Sequence, residues 1–301
     1  MQHLISVCSD SSVSFYPDFP LAEHTSFKIG GPADIFVVPK SRDQLQIVLH
    51  TCRTNHIPVF ILGGGANIIV SDKGIRGCVI SMSEFSGLSI HESIVTAGAG
   101  LTMSFAAEQS AAAALQGLEM FYSMPGSVGG SVWMNARCYG ISISDTLHSV
   151  TTIDTRGEIT TSPINPVQFD YKKTPFQKSR EIIIEACFSL SPGNTEILKK
   201  LMAEKHQDRK KKGHFDYPSA GSIFKNNRAF NEPTGKIIDS LGLRGYAIGG
   251  AQISPKHANI IINTGKATAD DVLSLIAFVK AKVKKTCGFC LEEEVIPVGE
   301  F

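Results

Sequence analysis

The sequence predicts a globular chain of two domains or three that mixes strands with helices. Three observations lead there. The 301 residues exceed a common domain of about 100–200 residues and leave length for a core in each part. Apolar residues make up 43% and charged residues 19%, a balance that folded chains show and disordered chains do not. Near the N-terminus the apolar spacing runs strand, helix, strand, the order of a β-α-β unit.

Ile35 to Val38 reads as a short buried strand, ended by Pro39. Ser41 and Gln44 stand as a capping box. Leu45, Val48, Leu49 and Cys52 then recur at i, i+3, i+4 and i+7, one face of a helix. Val59 to Leu62 is the next strand and runs into Gly63-Gly64-Gly65. Short strands follow around Val79–Met82 and Ile94–Ala97, then an Ala-rich helix from about Ser104 to Leu115. A glycine-dense loop, Pro125 to Gly130, comes next. Thr151 to Glu158 reads as half a hairpin turning at Arg156-Gly157, and Ile182 to Ala186 as a strand.

Ser191-Pro192-Gly193-Asn194 is a turn cluster and the expected boundary, with residues 1–193 before it and 194–301 after it. Asn194 can cap a helix carrying Ile197, Leu198, Leu201 and Met202, and the charge run Lys205 to Lys212 is read as its solvated end. Thr268 and Asp271 open a last helix with the apolar face Val272, Leu275, Ile276 and Val279. Lys280, Lys282, Lys284 and Lys285 crowd its C-terminal end, where the helix dipole favours cations.

The 29 Lys+Arg against 28 Asp+Glu leave a net charge of +1, which disfavours a strongly basic nucleic-acid binder. Seven scattered cysteines, an odd number in a large chain, argue against a disulfide framework and for a reducing cytosol. Met1 to Phe15 does not read as a signal peptide, and no apolar run approaches a bilayer-spanning length. A cytoplasmic protein without a membrane partner is expected.

Gly63 to Asn67 follows a strand directly, and residues without Cβ let N–H groups approach an anion such as a pyrophosphate. It is neither a Walker A loop nor the Rossmann fingerprint, and a tight turn without a ligand is the competing reading. The second glycine loop, Pro125 to Gly130, favours a long anionic cofactor. Gly30-Gly31, in Thr25 to Pro32, can be simply the entry to the first strand. Ser222, in Ala220 to Asn226, can be a proton donor or a nucleophile, or structural, since no Gly-x-Ser-x-Gly elbow surrounds it. In Leu291 to Val295, a strand would point Glu292 and Glu294 one way and Glu293 the other; an exposed edge strand is the plainer alternative. Cys287-Gly288-Phe289-Cys290 lacks a second pair and reads as structural, so no metal site is expected. His257 reads as a local hydrogen bonder.

Taken together, these segments resemble the UDP-N-acetylenolpyruvoylglucosamine reductase family, flavoenzymes of peptidoglycan precursor synthesis, from about Leu21 to Gly299. The resemblance rests on Thr25 to Gly31, Leu62 to Asn67 with Ser71-Asp72, and Pro125 to Gly130 with Met134-Asn135-Ala136. It continues through Phe169-Asp170-Tyr171, Tyr217 to Asn226, Gly249 to Gln252 and Leu291 to Val295. It implies an α+β fold: a two-lobed FAD-binding module of the vanillyl-alcohol oxidase type (lobes about 1–80 and 81–193), then an α+β substrate-binding domain. It implies FAD as cofactor, NADPH as co-substrate and a UDP-sugar enolpyruvyl ether as substrate; a monomer is expected.

The same resemblance implies residue roles. Gly63, Gly64, Gly65, Ala66, Asn67, Ser71, Pro125, Gly126, Ser127, Gly129 and Gly130 would line the cofactor. Ser222 would deliver the proton, Glu294 would act protonated on the substrate carboxylate, and Tyr171, Lys225, Asn226 and Gln252 would face the substrate. Two departures stand out. Lys172 occupies the place of an arginine that clamps the carboxylate, keeping the charge but losing the planar fork. Lys212-Gly213-His214 stands where relatives commonly show Lys-Gln-Pro. Ser189 to Gly193 leaves no room for the tyrosine loop of one subtype, so the shorter subtype is expected. The alternatives are another FAD oxidoreductase that reacts with oxygen, and an inactive flavin or sugar-nucleotide binder.

Overall fold

The computed structural model describes Met1 to Phe301. In chain order it begins with α1 (Gln2–Asp10), β1 (Ser14–Pro20), β2 (Pro32–Val38), α2 (Arg42–Thr54) and β3 (Val59–Leu62). Next come β4 (Ile68–Val70), β5 (Ile75–Ser81), β6 (Leu88–His91), β7 (Ile94–Gly98) and α3 (Met103–Ala112). β8 (Leu115–Gln116), α4 (Val128–Trp133), β9 (Arg137–Cys138), β10 (Ile141–Ser142), β11 (Leu147–Ile153), β12 (Ile159–Pro163) and β13 (Ile182–Ser189) follow. The last are β14 (Ser191–Pro192), α5 (Thr195–Lys211), β15 (Ser219–Ser222), α6 (Thr234–Ser240), β16 (Ala247–Ile248), β17 (Ala251–Ile253), β18 (Ile260–Asn263), α7 (Ala269–Cys287) and β19 (Ile296–Val298). No helix is long and apolar enough to cross a membrane.

Two compact units form, each from separated segments. The first comprises Met1–Asp18, Asp34–Gly64 and Gly77–His206; the second comprises Phe19–Ala33, Gly65–Arg76 and Gln207–Phe301. Compactness therefore does not cut the chain at the 191–194 turn. That turn is sewn into the first unit: β14 pairs with β8, and the Gly193 N–H donates to the Ala114 carbonyl at 2.7 Å. The early residues of α5, Leu198 and Met202, bury beside Ala111.

In the first unit, α2 buries the four expected apolar positions, Leu45, Val48, Leu49 and Cys52. The Ser41 side chain caps it by accepting from the Gln44 N–H, while the Gln44 side chain accepts from the Lys40 N–H rather than from Ser41. β3 pairs in parallel with β5, and the sheet order is β1-β2-β5-β3, so β5 is inserted between the two strands of the β-α-β unit. A second sheet, β12-β11-β13-β7-β6, carries the expected hairpin. Buried residues of α1 to α4 and of both sheets share one apolar core.

In the second unit, the antiparallel sheet β15-β18-β17-β16 packs on α7, whose Val272, Leu275, Ile276, Val279 and Val283 join Ala251, Ile253 and Ile261 in the core. β4 and β19 form a separate parallel pair. Thr268 and Asp271 make the capping box of α7 as expected. Asp72 adds a second cap, its carboxylate accepting from the Ala269 N–H at 3.0 and 2.9 Å. Replacing it removes an acceptor and a negative charge at a helix N-terminus, so Asp72→Ala is expected to lower stability by about 1 kcal/mol in urea unfolding.

His214 and His257 lie ring against ring in this unit, tilted by 60° at a 5.7 Å centroid distance. Burial, with the Arg209 charge behind it, pushes the His214 imidazole from 6.5 down to about 4. The folded state then binds fewer protons than the unfolded chain between those values, so stability falls as pH drops through that window. Thermal melts of His214→Leu should show a smaller loss between pH 6.5 and 4 than melts of the unaltered chain.

Candidate functional site

The first unit places the two glycine segments backbone to backbone. A Cβ on Gly64 would lie 2.7 Å from Gly126 Cα and 2.8 Å from the Ser127 nitrogen, and one on Gly63 would lie 2.5 Å from Ser127 Oγ. Glycine is thus required for a close approach at both positions. Ser127 is the hub: it caps α4, and its Oγ accepts from the N–H groups of Gly64 and Gly130, each at 3.3 Å.

Not every expected donor is available. The Val128 and Gly129 N–H groups are spent on the Leu101 and Ala99 carbonyls, both at 2.8 Å. The expectation that the whole second loop binds an anion through its backbone narrows to Gly126 and Ser127, whose N–H groups no main-chain carbonyl takes. Gly129 serves packing instead, since a Cβ there would lie 2.8 Å from that of Ala99.

At its other end, α4 carries the Lys172 turn. The Trp133 carbonyl accepts from Thr174 Oγ1 at 2.9 Å and from Gln177 Nε2 at 3.1 Å. Asn135, itself buried, donates to the Asp170 carbonyl at 3.0 Å. Asp170 and Lys173 exchange main-chain hydrogen bonds, closing a turn with Lys172 at φ 59°. A lysine in the left-handed region costs on the order of 1 kcal/mol, and such strain concentrates where function demands it. Lys172 and Tyr171 are half-buried, Lys173 is exposed, and the Lys172 ammonium lies 5.9 Å from the Tyr171 ring centroid.

The second unit holds Ser222 and Glu294. Ser219 pairs with Ile262 and Ser222 with Ile260, so three steps on β15 match two on β18. The extra residue is a β-bulge, and Gly221 supplies the positive φ of 71°. Simple alternation would turn Ser222 inward with Ala220. The bulge instead puts Ser222 on the face of Ile260, Ile262 and Gln252, while Ala220 and Ile223 enter the core.

Leu291 to Val295 is not a full strand. It makes one bridge, Phe224 opposite Glu293, and the Glu294 N–H donates to the Ile223 carbonyl at 2.7 Å. Glu294 thus meets the main chain of the residue that follows Ser222, and Ser222 and Glu294 are both half-buried. Asn259 clamps the other side of this segment. Its Oδ1 accepts from the Phe224 N–H at 3.0 Å, its Nδ2 donates to the Phe224 carbonyl at 2.8 Å, and its own carbonyl accepts from Ile223 at 2.8 Å. His257, the expected local hydrogen bonder, accepts from the Asn259 N–H through Nδ1 at 3.2 Å.

Gly65, Ala66 and Asn67 also belong to this unit. Their N–H groups enter no main-chain hydrogen bond, and Gly65 takes φ 58°, so three successive donors can converge as an anion nest. The Asn67 side chain donates to the Glu294 carbonyl at 3.0 Å, tying the nest to the acidic segment. Ser71 is placed differently from expectation. Its hydroxyl donates to the Glu300 carbonyl and accepts from the Lys73 N–H at 3.2 Å, and its N–H donates to Val298 at 2.9 Å. It fastens β19 beside β4 and has no donor left for a cofactor.

Of the substrate candidates, Lys225 and Asn226 follow Ser222 directly. Lys225 pairs with Glu292, and the Asn226 Oδ1 accepts from the Thr234 N–H at 2.9 Å at the start of α6. Gln252 shares the Ser222 face and donates to the Gly245 carbonyl at 3.0 Å. Cys287 is the last residue of α7, and Gly288 ends it at φ 75°. Cys287 and Cys290 are free thiols.

Three positioning residues received no role from the sequence: Asn135, Asn259 and Ser26. Ser26 donates through Oγ to the Ser219 carbonyl at 2.7 Å, and its N–H donates to Gly65 at 3.1 Å, linking the nest to β15. Each makes its bond to a partner remote in sequence, so no local pattern marks it. In the first unit Gly63 and Gly64 stand where a Cβ would meet Ser127 and Gly126, and in the second unit the N–H groups of Gly65, Ala66 and Asn67 enter no main-chain hydrogen bond; each by itself suits an anionic group of a cofactor.

Comparison with known proteins adds a separate line. Residues 33–162 match the description of an FAD binding domain, and residues 213–298 match the C-terminal domain of UDP-N-acetylenolpyruvoylglucosamine reductase. The UDP-N-acetylenolpyruvoylglucosamine reductase of Treponema denticola is 44% identical over 316 residues, covering 99% of this chain and 97% of that one. That of Caldanaerobacter subterraneus subsp. tengcongensis is 42% identical over 285 residues, covering 95% and 94%. The crystal structure of UDP-N-acetylenolpyruvylglucosamine reductase from Thermus caldophilus, 30% identical, aligns with a TM-score of 0.78 over 95% of this chain and 98% of that one. A Physcomitrella patens BBE-like 1 variant, 15% identical, aligns with a TM-score of 0.50 over 63% and 44%, a likeness of fold alone.

Proposed function

The chain belongs to the UDP-N-acetylenolpyruvoylglucosamine reductase family, and on that premise we propose which of its residues carry the reaction. It is an FAD-containing oxidoreductase that reduces the enolpyruvyl ether of UDP-N-acetylglucosamine enolpyruvate in peptidoglycan precursor synthesis. When bound, FAD takes reducing equivalents from NADPH and supplies the hydride that adds to the enol-ether methylene.

In the second unit the N–H groups of Gly65, Ala66 and Asn67 are assigned to an anionic group of the cofactor, and in the first unit so are those of Gly126 and Ser127. Hydride addition leaves negative charge on the carbon beside the substrate carboxylate. Lys172 is assigned to that carboxylate as a point charge, and Glu294 is assigned as the acid that supports the developing enolate. Ser222 Oγ passes its proton to the carbon, and solvent restores the hydroxyl. Tyr171, Asn226 and Gln252 are assigned to the substrate side. A cytoplasmic monomer completes the reading, supported by seven free thiols.

The observation that carries this assignment is the bulge at Gly221, which turns Ser222 out of the core and beside the Glu294 ladder. The test is spectroscopic. Purified protein should be yellow, bleach with NADPH, and regain its colour on adding the enolpyruvyl substrate without oxygen. Colour regained only with air would favour an oxidase; no bleaching would favour a binder.

Lys172 is half-buried and held in a strained turn, and Lys173 is exposed. Lys172→Ala should therefore raise KM and lower kcat by about tenfold or more, as loss of a charge-assisted contact does. Lys173→Ala should stay within about threefold of the parent enzyme. The reverse ranking in steady-state assays would move the carboxylate clamp one residue along.

A further inference from the structure

Phe121 to Met124, in the first unit, closes a type II turn just before the second glycine segment. The Met124 N–H donates to the Phe121 carbonyl at 3.1 Å, Tyr122 takes φ −58° and ψ 138°, and Ser123 takes φ 61°. The third position of such a turn favours glycine, because a Cβ is unfavourable in the left-handed region. Serine stands there instead, and its hydroxyl shares a hydrogen bond with His206 Nδ1 at 2.8 Å.

The facing stripe of α5 engages both central residues of this turn. Leu198 and Met202 bury beside Ala111, and Tyr122 packs against that cluster. His206 follows Met202 by one helical turn, on the same face, and its ring centroid lies 6.4 Å from that of Tyr122. The helix is anchored at this point. Tyr139 Oη donates to the Lys205 carbonyl at 3.2 Å, and the Lys205 ammonium lies 4.6 Å from the Tyr139 ring centroid. Lys205 and His206 are half-buried, so the charge run read as a solvated helix end opens with two residues that grip loops of the first unit.

The chain that leaves the turn is stiff. Met124 precedes a proline and is confined to extended conformations, and the ring of Pro125 fixes its own φ. No free hinge separates Ser123 from Gly126, so the turn sets the direction of the Gly126 N–H. On the far side the Gly126 carbonyl accepts from the Met103 N–H at 3.1 Å, which fastens that end to α3.

We infer that His206 is a positioning residue for cofactor binding: by holding Ser123 in a conformation that suits glycine, it aims the N–H groups of Gly126 and Ser127 at the anionic group assigned to them. The inference rests on that assignment.

The experiment uses the full chain loaded with FAD and reads, by fluorescence, the flavin freed on dilution. His206→Leu and Ser123→Ala should each raise the FAD dissociation constant about fivefold, the loss of one hydrogen bond. His206→Asn should stay within about twofold of the parent, since its amide sits on Cγ as Nδ1 does and keeps a polar partner for the hydroxyl. Ser123→Gly should also bind within about twofold, because glycine adopts the turn unaided. Adding His206→Leu to Ser123→Gly should then change binding less than about twofold, whereas a merely structural histidine would cost the same in either background. Parent-like binding by His206→Leu overturns the inference, as does an undiminished loss in the glycine background. Should His206→Leu fail to fold, Ser123→Ala and Ser123→Gly decide: looser binding by alanine alone upholds the inference, and equal binding by the two sinks it. Gly126→Ala, at φ 115°, disturbs the donors directly. If it keeps FAD as the parent does, the cofactor assignment falls and the inference with it; if it releases FAD while His206→Leu does not, the inference alone falls.

Discussion

Ser222→Ala is expected to bind FAD and to be reduced by NADPH at the parent rate, yet to return its electrons to the enolpyruvyl substrate about 10²–10⁴ times more slowly, the range for losing a positioned proton donor. Little structural damage should accompany the change. Ser222 is half-buried at the end of β15, and its segment is held from both sides by main-chain and Asn259 contacts that do not use the hydroxyl. Stopped-flow measurement of the two half-reactions separates this from a folding defect, because misfolding would slow both. A variant that turns over like the parent would remove Ser222 from the mechanism. Solvent deuterium content at the product carbon gives an independent reading: label should still enter in any residual turnover, but without facial selectivity.

Gly64→Ala is expected to yield a colourless or very weakly yellow protein. One added methyl has no room, since its nearest neighbours would be the Gly126 Cα at 2.7 Å and the Ser127 nitrogen at 2.8 Å. Both are backbone atoms, so neither can swing aside as a side chain would. The two glycine segments must part, and Ser127 loses its hold on the Gly64 N–H. On the proposed cofactor assignment of these segments, loss of bound FAD should exceed loss of fold. The check is flavin released per chain, set against the thermal midpoint of apoprotein from both versions. Equal flavin content would show that the cradle tolerates separation and that the diphosphate is held elsewhere. Gly87→Ala is the control, as a Cβ there meets nothing within 4 Å.

Much of this protein was legible residue by residue. The four apolar positions of α2, the capping box of α7 at Thr268 and Asp271, the Asn194 cap of α5 and the hairpin turn near Arg156-Gly157 all lie in short stretches, where side-chain period and capping chemistry act between near neighbours. Glycine clustering marked both close-packed glycine segments for the same reason, since the absence of Cβ is a local property. The Ser71 hydroxyl shows what the sequence does not display: its hydrogen bond goes to the Glu300 carbonyl, just past β19 at the far end of the chain.

What the amino-acid order determined alone was therefore several of the helices and strands, the glycine positions and, through family resemblance, the chemistry. Tertiary structure alone decided the interleaved segments of the two units, the insertion of β5 between β2 and β3, and the Gly221 bulge that reverses the facing of Ser222. It also decided which carboxylate of three meets Lys280 and which meets Lys225. The physical reason is one of range. Propensity, capping and period act over a few residues, whereas strand partners, buried charges and the carbonyls that hold Asn135, Asn259 and Ser26 in place are contributed by remote parts of the chain and exist only once it has closed on itself.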